Sequence, residues 1–187
     1  MKILGTRIAI QDALSYAYTP DNSMAEYLTY LCKIDKTKTT GTYQFAMAIQ
    51  FAKIRAAIND QKQPIPAWLN YAYGPDLEAA QKARHKRMVA LMLAAELTPA
   101  PVGLKRRERI EKLCYCAVED HRLGLFLGKT LPQSEYAAAM DIHEQNWWRD
   151  WADLQSRALE IIKGLDSDGI GRVSVVVREI REAEEDI

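Results

Sequence analysis

The chain has 187 residues, of which 48% are hydrophobic and 27% are charged, and its formal net charge is zero. This composition is typical of a folded globular protein, and it excludes a disordered chain and a protein that attracts nucleic acid by overall basicity. No apolar run reaches the roughly 18 residues of a membrane span, and polar residues interrupt the N-terminal segment too early for a secretory signal. We therefore expect a cytoplasmic protein.

Helical periodicity runs through almost the whole chain and predicts an all-α fold. In chain order, the predicted helices cover residues 6–18, 24–34, 43–58 and 68–73, a long segment capped by Asp76, and residues 105–128. The stretch TPAPVG at 98–103 is predicted to be a loop. We divide the chain into an N-terminal helical region, 1–66, and a second helical region, 67–187.

The C-terminal third ends in DSDGIG and GRVSVVVREIREAEED. The glycines of DSDGIG (166–171) predict a break between two helices, since the calcium-loop alternative fails at Ile170 and Val177. The valines after it are compatible with a strand. However, apolar residues at helical spacing and a strongly helix-forming tail favour a helix.

The stretch QSEYAAAMDIHEQNWWRDW (133–151) has the register of a helix–turn–helix, which we place at 133–163. Its second helix is predicted to run from about His143 to Lys163, with an apolar stripe that continues to Leu165. The predicted buried residues of the motif are Ala138, Met140, Ile142, Trp147, Trp151 and Leu154.

The exposed start of that second helix is where a recognition helix presents side chains to DNA bases. Trp148 lies about 100° round the helix from Trp147 and is at most half buried. The candidate DNA-binding residues are His143, Glu144, Gln145, Trp148 and Arg149. Protein contact and a purely structural helical hairpin remain alternatives, because Asp150 would repel phosphates.

Two basic runs, KARHKR and KRRERIEK, lie on either side of the TPAPVG loop. They are candidates for contact with nucleic-acid backbone, or else two solvated helix faces. If the two helices pair antiparallel, the runs need not form one patch. The candidate residues are Lys82, Arg84, Lys86, Arg87, Lys105, Arg106, Arg107 and Arg109.

Nothing in the sequence indicates an enzyme. It has three histidines, and it lacks HExxH, a P-loop and a glycine-rich strand-to-helix turn. Its cysteines, Cys32, Cys114 and Cys116, are odd in number and form no disulfide framework. Two of them are two residues apart on a predicted helix, which suits buried apolar side chains better than a zinc site. We expect neither a metal nor a cofactor.

Two stretches, AWLNYAYGPD and EYAAAMDIHEQNWWRDWADLQSRALEIIKGLDSDGIGRV, carry a family resemblance over roughly residues 67–175. Together with the basic helical segment between them, they resemble the late-gene antitermination proteins, or Q proteins, of lambdoid phages, in the branch without a zinc ribbon. The family's helix–turn–helix pattern is met by Ala137–Met140, Ile142, Trp147 and Trp151. Asp141 stands where the family has glycine.

The resemblance implies a protein that binds double-stranded DNA near a phage late promoter. It further implies loading onto bacterial RNA polymerase with its σ factor, so that elongation passes pauses and terminators. Nascent RNA is a further partner for the basic runs. The aromatic segment Trp68–Tyr73 is either core or a polymerase-facing surface. The alternatives are a dimeric helix–turn–helix repressor or activator, dimerised through the 147–165 stripe, and a protein-binding helical adaptor.

Overall fold

A computed structural model describes residues 3–16, 40–75 and 79–185 of the chain. These residues form helices, turns and loops, and no β-strand occurs among them. The predicted all-α fold is therefore confirmed. The helix predicted at 24–34 and the Asp76 cap lie outside the described residues.

The helices match the sequence-based boundaries closely until residue 140. They are α1 (Ile3–Tyr16), α2 (Thr40–Asn59), α3 (Ile65–Tyr73), α4 (Ala79–Leu97), α5 (Leu104–Leu127), α6 (Gln133–Met140), a 3-10 turn (Glu144–Asn146), α7 (Trp147–Asp150) and α8 (Ala152–Glu185). Within the described ranges, no helix is both long and apolar enough to cross a membrane.

The aromatic helix α3 lies in the core. From Pro66 to Tyr73 every residue except Asn70 is buried, and Trp68 and Leu69 have no exposed surface. The possibility that Trp68–Tyr73 forms a polymerase-facing surface is therefore wrong. Alternation of large aromatic and small residues lets α3 pack on α1, α4 and α8 at once.

Helices α4 and α5 form an antiparallel hairpin. Lys86, early in α4, meets Glu119, late in α5, at 2.8 Å. Helix α5 ends at Gly128, which has a φ of 62°, and the backbone N–H of the next residue, Lys129, bonds the carbonyl of Leu123 at 3.5 Å. That left-handed conformation suits glycine and closes the helix before the turn into α6.

Helix α8 runs unbroken for 34 residues, so the break predicted at DSDGIG is wrong. Gly169 is a point of close helix packing, because a Cβ there would lie 2.9 Å from the Ile65 side chain and 3.2 Å from that of Leu69. Asp166 faces inward, since it receives hydrogen bonds from neighbouring helices. Asp166 and Gly169, two of the residues that suggested a turn, therefore make contacts between helices.

One core is shared by helices from both ends of the chain. Buried residues of α1 and α2, such as Ile10 and Ile58, belong to the same cluster as Trp68, Leu113 and Val173. The boundary that we placed at residue 66 falls at the start of α3, and helices from either side pack on α8.

Candidate nucleic-acid interface

A short helix and a turn open the segment predicted to read DNA. Helix α6 ends at Asp141, which adopts the left-handed conformation with a φ of 53°. The N–H of Asp141 bonds the carbonyl of Ala138, and that of Ile142 bonds the carbonyl of Ala137. Asp occurs at such positions more readily than most residues other than glycine. The aspartate that departs from the family pattern therefore occupies a helix-ending turn.

The predicted second helix, His143 to Lys163, is not one helix. After the turn come a 3-10 turn (Glu144–Asn146), the four residues of α7, and an interruption at Trp151, whose φ is −134°. Helix α8 starts only at Ala152. Trp151 leaves the helical conformation because its indole is drawn into the core, where it is 6% exposed. The interface segment is therefore short and irregular.

The inner side of this segment is anchored by aromatic residues. Trp147 is 1% exposed, and its ring lies 5.5 Å from that of buried Tyr136. Met140 is also buried, whereas Ile142 and Leu154 are half-buried and pack against the core. Ala138 is exposed, contrary to prediction. The small buried residue of α6 is its neighbour Ala137, since the inward face of the helix runs through Tyr136, Ala137 and Met140.

A buried carboxylate joins the same segment to α5. Asp120 is 4% exposed and accepts hydrogen bonds from the Tyr136 hydroxyl and the Leu131 backbone N–H, both at 2.7 Å. Burial and the bond to Asp120 both raise the pKa of Tyr136, so this hydroxyl remains a donor. Sequence reasoning missed Asp120, whose only signal was an acid on the inward face of a predicted helix.

The outer side brings together all five predicted DNA-binding residues. His143, Glu144, Gln145, Trp148 and Arg149 are exposed, and Trp148 keeps 77% of its surface. The Gln133 side chain donates to the backbone carbonyl of Glu144 at 3.3 Å, which ties the start of α6 to the 3-10 turn. We call these five exposed residues the reading surface.

Arginines of α5 flank the reading surface. Arg109 donates to the backbone carbonyl of Asp141 at 3.0 Å, and the Arg106 guanidinium lies 5.4 Å from the centre of the Trp151 ring. Lys105 and Arg107, which are neighbours of Arg106 in α5, are exposed. Arg107 forms an ion pair with Glu111 at 3.3 Å. The structure therefore places the second basic run beside the reading surface.

The first basic run lies elsewhere. Lys86 is 13% exposed, forms an ion pair with Glu119 at 2.8 Å and sits over the Tyr115 ring at 4.0 Å. Glu119 is ten residues beyond Arg109 on α5, or roughly 15 Å along the helix. Lys86 takes part in this internal network, and its contact with phosphate stays a prediction. Arg84 and Arg87 are exposed and Lys82 is half-buried, and Arg87 lines a surface pocket together with Glu108 and Glu111 of α5.

The Lys86 network is a second feature that sequence reasoning missed. Burial acts to raise the pKa of Glu119, but hydrogen bonds from Lys86 and Tyr71 outweigh it and hold that pKa below its usual range. The Tyr71 hydroxyl donates to the same carboxylate, and Arg122 lies 3.7 Å from it. Helices α3, α4 and α5 are joined through this one ionised group.

The charges of the reading surface are mixed. Arg149 donates to both carboxylate oxygens of Asp150, at 2.9 and 2.8 Å, and to the Asn146 side chain at 3.3 Å. These bonds raise the pKa of Arg149 and lower that of Asp150. The guanidinium is exposed, and the neighbouring carboxylate of Asp150 offsets part of its attraction for a phosphate.

The cysteine and acidic residues give no sign of a cofactor. No group of three or more histidine, cysteine or acidic residues in the described ranges is placed to hold a metal ion. Burial raises the pKa of the Cys114 thiol to about 12, so this side chain stays protonated in the core. Cys116 is half-buried. The surface built here can bind through hydrogen bonds, stacking and charge.

Comparison with known proteins assigns the chain to a family. A family model described as phage antitermination protein Q matches residues 29–186. No curated protein and no solved structure matches the chain. Because the matched range covers most of the sequence, the chain belongs to the phage antitermination protein Q family, and its role is phage transcription antitermination.

Proposed function

We propose that this antiterminator binds promoter-proximal DNA through the reading surface and acts on host RNA polymerase in the bacterial cytoplasm. It works by binding and not by catalysis. The observation that carries the proposal is that Trp147 and Trp151 are buried while five residues of the same short segment that are capable of base contact are exposed. The two buried indoles hold the exposed side chains in one geometry, which sequence recognition requires.

The second basic run supplies the phosphate contacts in this proposal. Lys105, Arg106, Arg107 and Arg109 follow one another along the start of α5, beside the reading surface. Phosphate contacts position a protein on DNA and base contacts select the sequence, so the two sets divide the work. Arg84 and Arg87, which are exposed on α4, are then available for another polyanion such as nascent RNA.

The alternative of a repressor that dimerises through its long apolar stripe has less support. Within one chain, α8 already buries Ala158, Ile162, Ile170, Val173 and Val177 against the other helices. The buried stripe also departs from the predicted one, since Ile161 and Leu165 are only half-buried. A coiled-coil dimer would need that apolar surface to be free.

DNA binding is tested with duplexes tiled across the late promoter region of the phage that encodes the chain. Arg149→Ala is expected to weaken binding to the preferred duplex on the order of tenfold, and to reduce its preference over unrelated duplexes. The matched control is Arg178→Ala. Arg178 is an exposed arginine that also pairs with a nearby acid, Glu182, and it lies roughly 40 Å along the axis of α8 from the start of that helix, beside Arg149.

Action on polymerase is tested by transcription across a terminator in vitro. Read-through should require the promoter-proximal DNA in the template, and Arg149→Ala should reduce it at limiting protein while Arg178→Ala should not. Equal binding of all duplexes by both variants would reject the reading surface. Read-through on templates lacking the promoter-proximal DNA would favour a purely protein-binding adaptor.

A further inference from the structure

Trp148 is the most exposed large hydrophobic side chain in the described part of the molecule, at 77%. Its backbone is nevertheless well fixed. The preceding residue, Trp147, is buried, and the N–H of Trp151 bonds the Trp147 carbonyl at 2.9 Å. An indole is thus held out into solvent between two others that anchor its helical turn in the core.

The surroundings of Trp148 indicate the chemistry of its partner. No other large hydrophobic residue between 133 and 151 is exposed, and its exposed neighbours His143, Gln145 and Arg149 are hydrogen-bond donors or cations. The core of a protein–protein interface gathers several apolar residues. A lone aromatic ring among donors, with arginines nearby, is the composition of a platform on which nucleic-acid bases stack.

Intact duplex DNA does not offer an open base face on which such a ring can stack. The faces of its bases are covered by their neighbours, and only the base edges are open in the grooves. The indole has a single hydrogen-bond donor and no acceptor, so it is a poor reader of edges. It gains contact only where a base face is open, at an unpaired base or at a step that has been unstacked.

We propose that Trp148 stacks on an unpaired base, so that the preferred ligand of the reading surface is DNA with a local opening. This inference rests on the proposed function, because Arg106 and Arg109 would hold the flanking phosphates. Arg149 and its partner Asp150 lie directly beside the ring, and Glu144 is the remaining acid of the reading surface. The energy of stacking adds to charge attraction without depending on base identity.

The test compares two probes, a duplex from the late promoter region and the same duplex with a short mismatched stretch tiled along it. The parent protein should bind the best opened probe about tenfold more tightly than the duplex, within the range found for one stacked base. Trp148→Ala should abolish that preference, because it should lower affinity for the opened probe about tenfold more than affinity for the duplex. Trp148→Phe, which keeps a ring, should retain most of the preference.

Fluorescence gives a second readout that a merely structural role would not move. Trp68, Trp147 and Trp151 are buried, so DNA-dependent quenching of tryptophan emission reports Trp148. Quenching should be strong with the opened probe and weak with the duplex. Melting temperatures of Trp148→Ala and Trp148→Phe should equal that of the parent, because the side chain contributes little to the core.

The possible outcomes separate the inference from the function on which it rests. Equal affinity of the parent for both probes, or an equal loss for both in Trp148→Ala, overturns the stacking role but leaves DNA binding in place. Loss of polymerase binding in that variant with unchanged DNA binding also overturns it, in favour of a protein contact. Failure of the parent to bind either probe refutes the proposed function and the inference together.

Discussion

Replacement of Asp166 by alanine should destabilise the protein more than almost any other single polar substitution. The carboxylate is 3% exposed and lies at the crossing of α1, α3 and α8. One oxygen accepts from the Arg7 guanidinium at 2.7 Å; the other accepts from the Tyr73 hydroxyl at 2.7 Å and the Trp68 indole N–H at 3.0 Å. Alanine would leave one buried cation and two buried donors without their acceptor.

The size of the effect follows from those three contacts. Breaking a buried ion pair from one side costs about 3–5 kcal/mol, because the remaining charge loses its partner. The Arg7 side chain is 29% exposed, so water can replace part of that interaction. Each orphaned neutral donor adds about 1–3 kcal/mol, although the terms do not sum fully. We expect a loss of about 4 kcal/mol, out of the roughly 5–15 kcal/mol that stabilise a typical domain.

The measurement is urea unfolding followed by far-ultraviolet circular dichroism. Asp168→Ala is the matched control, since Asp168 is exposed on the same helix and its loss should change the unfolding free energy by less than about 0.5 kcal/mol. A double-mutant cycle with Arg7→Ala should give a coupling of about 1–3 kcal/mol between the two side chains. If Asp166→Ala unfolds within about 1 kcal/mol of the parent, the carboxylate does not hold these helices together.

Three further outcomes are expected. Gly169→Ala should destabilise the protein by about 1–3 kcal/mol, because the new Cβ would lie 2.9 Å from a side chain of α3. Gly164→Ala should stabilise the protein by about 0.5–1 kcal/mol, because no atom lies within 4 Å of its Cβ position. The denaturant midpoints of both variants test this. Asp150→Asn should tighten DNA binding about fivefold in low salt, and titration in higher salt should show the gain shrinking; equal affinity at all salt concentrations would place this carboxylate away from phosphates. Burial lowers the pKa of His85 and of His121, so the unfolded chain takes up protons first, and the unfolding free energy should fall as the pH drops below about 6.5. Replacing both histidines by glutamine should flatten that part of the pH profile.

Helix positions were predictable because apolar periodicity reports burial directly. The segments 43–58, 68–73 and 105–128 were expected as helices and correspond to α2, α3 and α5. The continuity of α8 was not predictable, since Asp166 and Gly169 have the local chemistry of a turn. Only their partners, which come from α1 and α3, explain why a helix passes through them. Local sequence cannot encode contacts with residues that lie 93 to 159 positions away.

The interface was predictable in part, for a related reason. The spacing of Trp147 and Trp151 indicated a buried side, and both indoles lie in the core. The same spacing predicted one regular helix, whereas the chain is interrupted at Trp151. Sequence likewise treated the two basic runs as equivalent. The antiparallel hairpin separates them and commits Lys86 to Glu119, which depends on tertiary pairing and not on charge spacing.

The shortness of the reading surface's own helices makes it dependent on α5. A four-residue helix and a 3-10 turn cannot hold a geometry alone, because helix formation needs several turns to offset nucleation. Arg109 on the Asp141 carbonyl and Arg106 on the Trp151 ring supply that support from outside the segment. These two arginines therefore have a structural role that Lys105 and Arg107 lack. Their loss would alter which bases are read, while loss of the neighbouring cations would weaken binding to all sequences alike and reduce its dependence on salt.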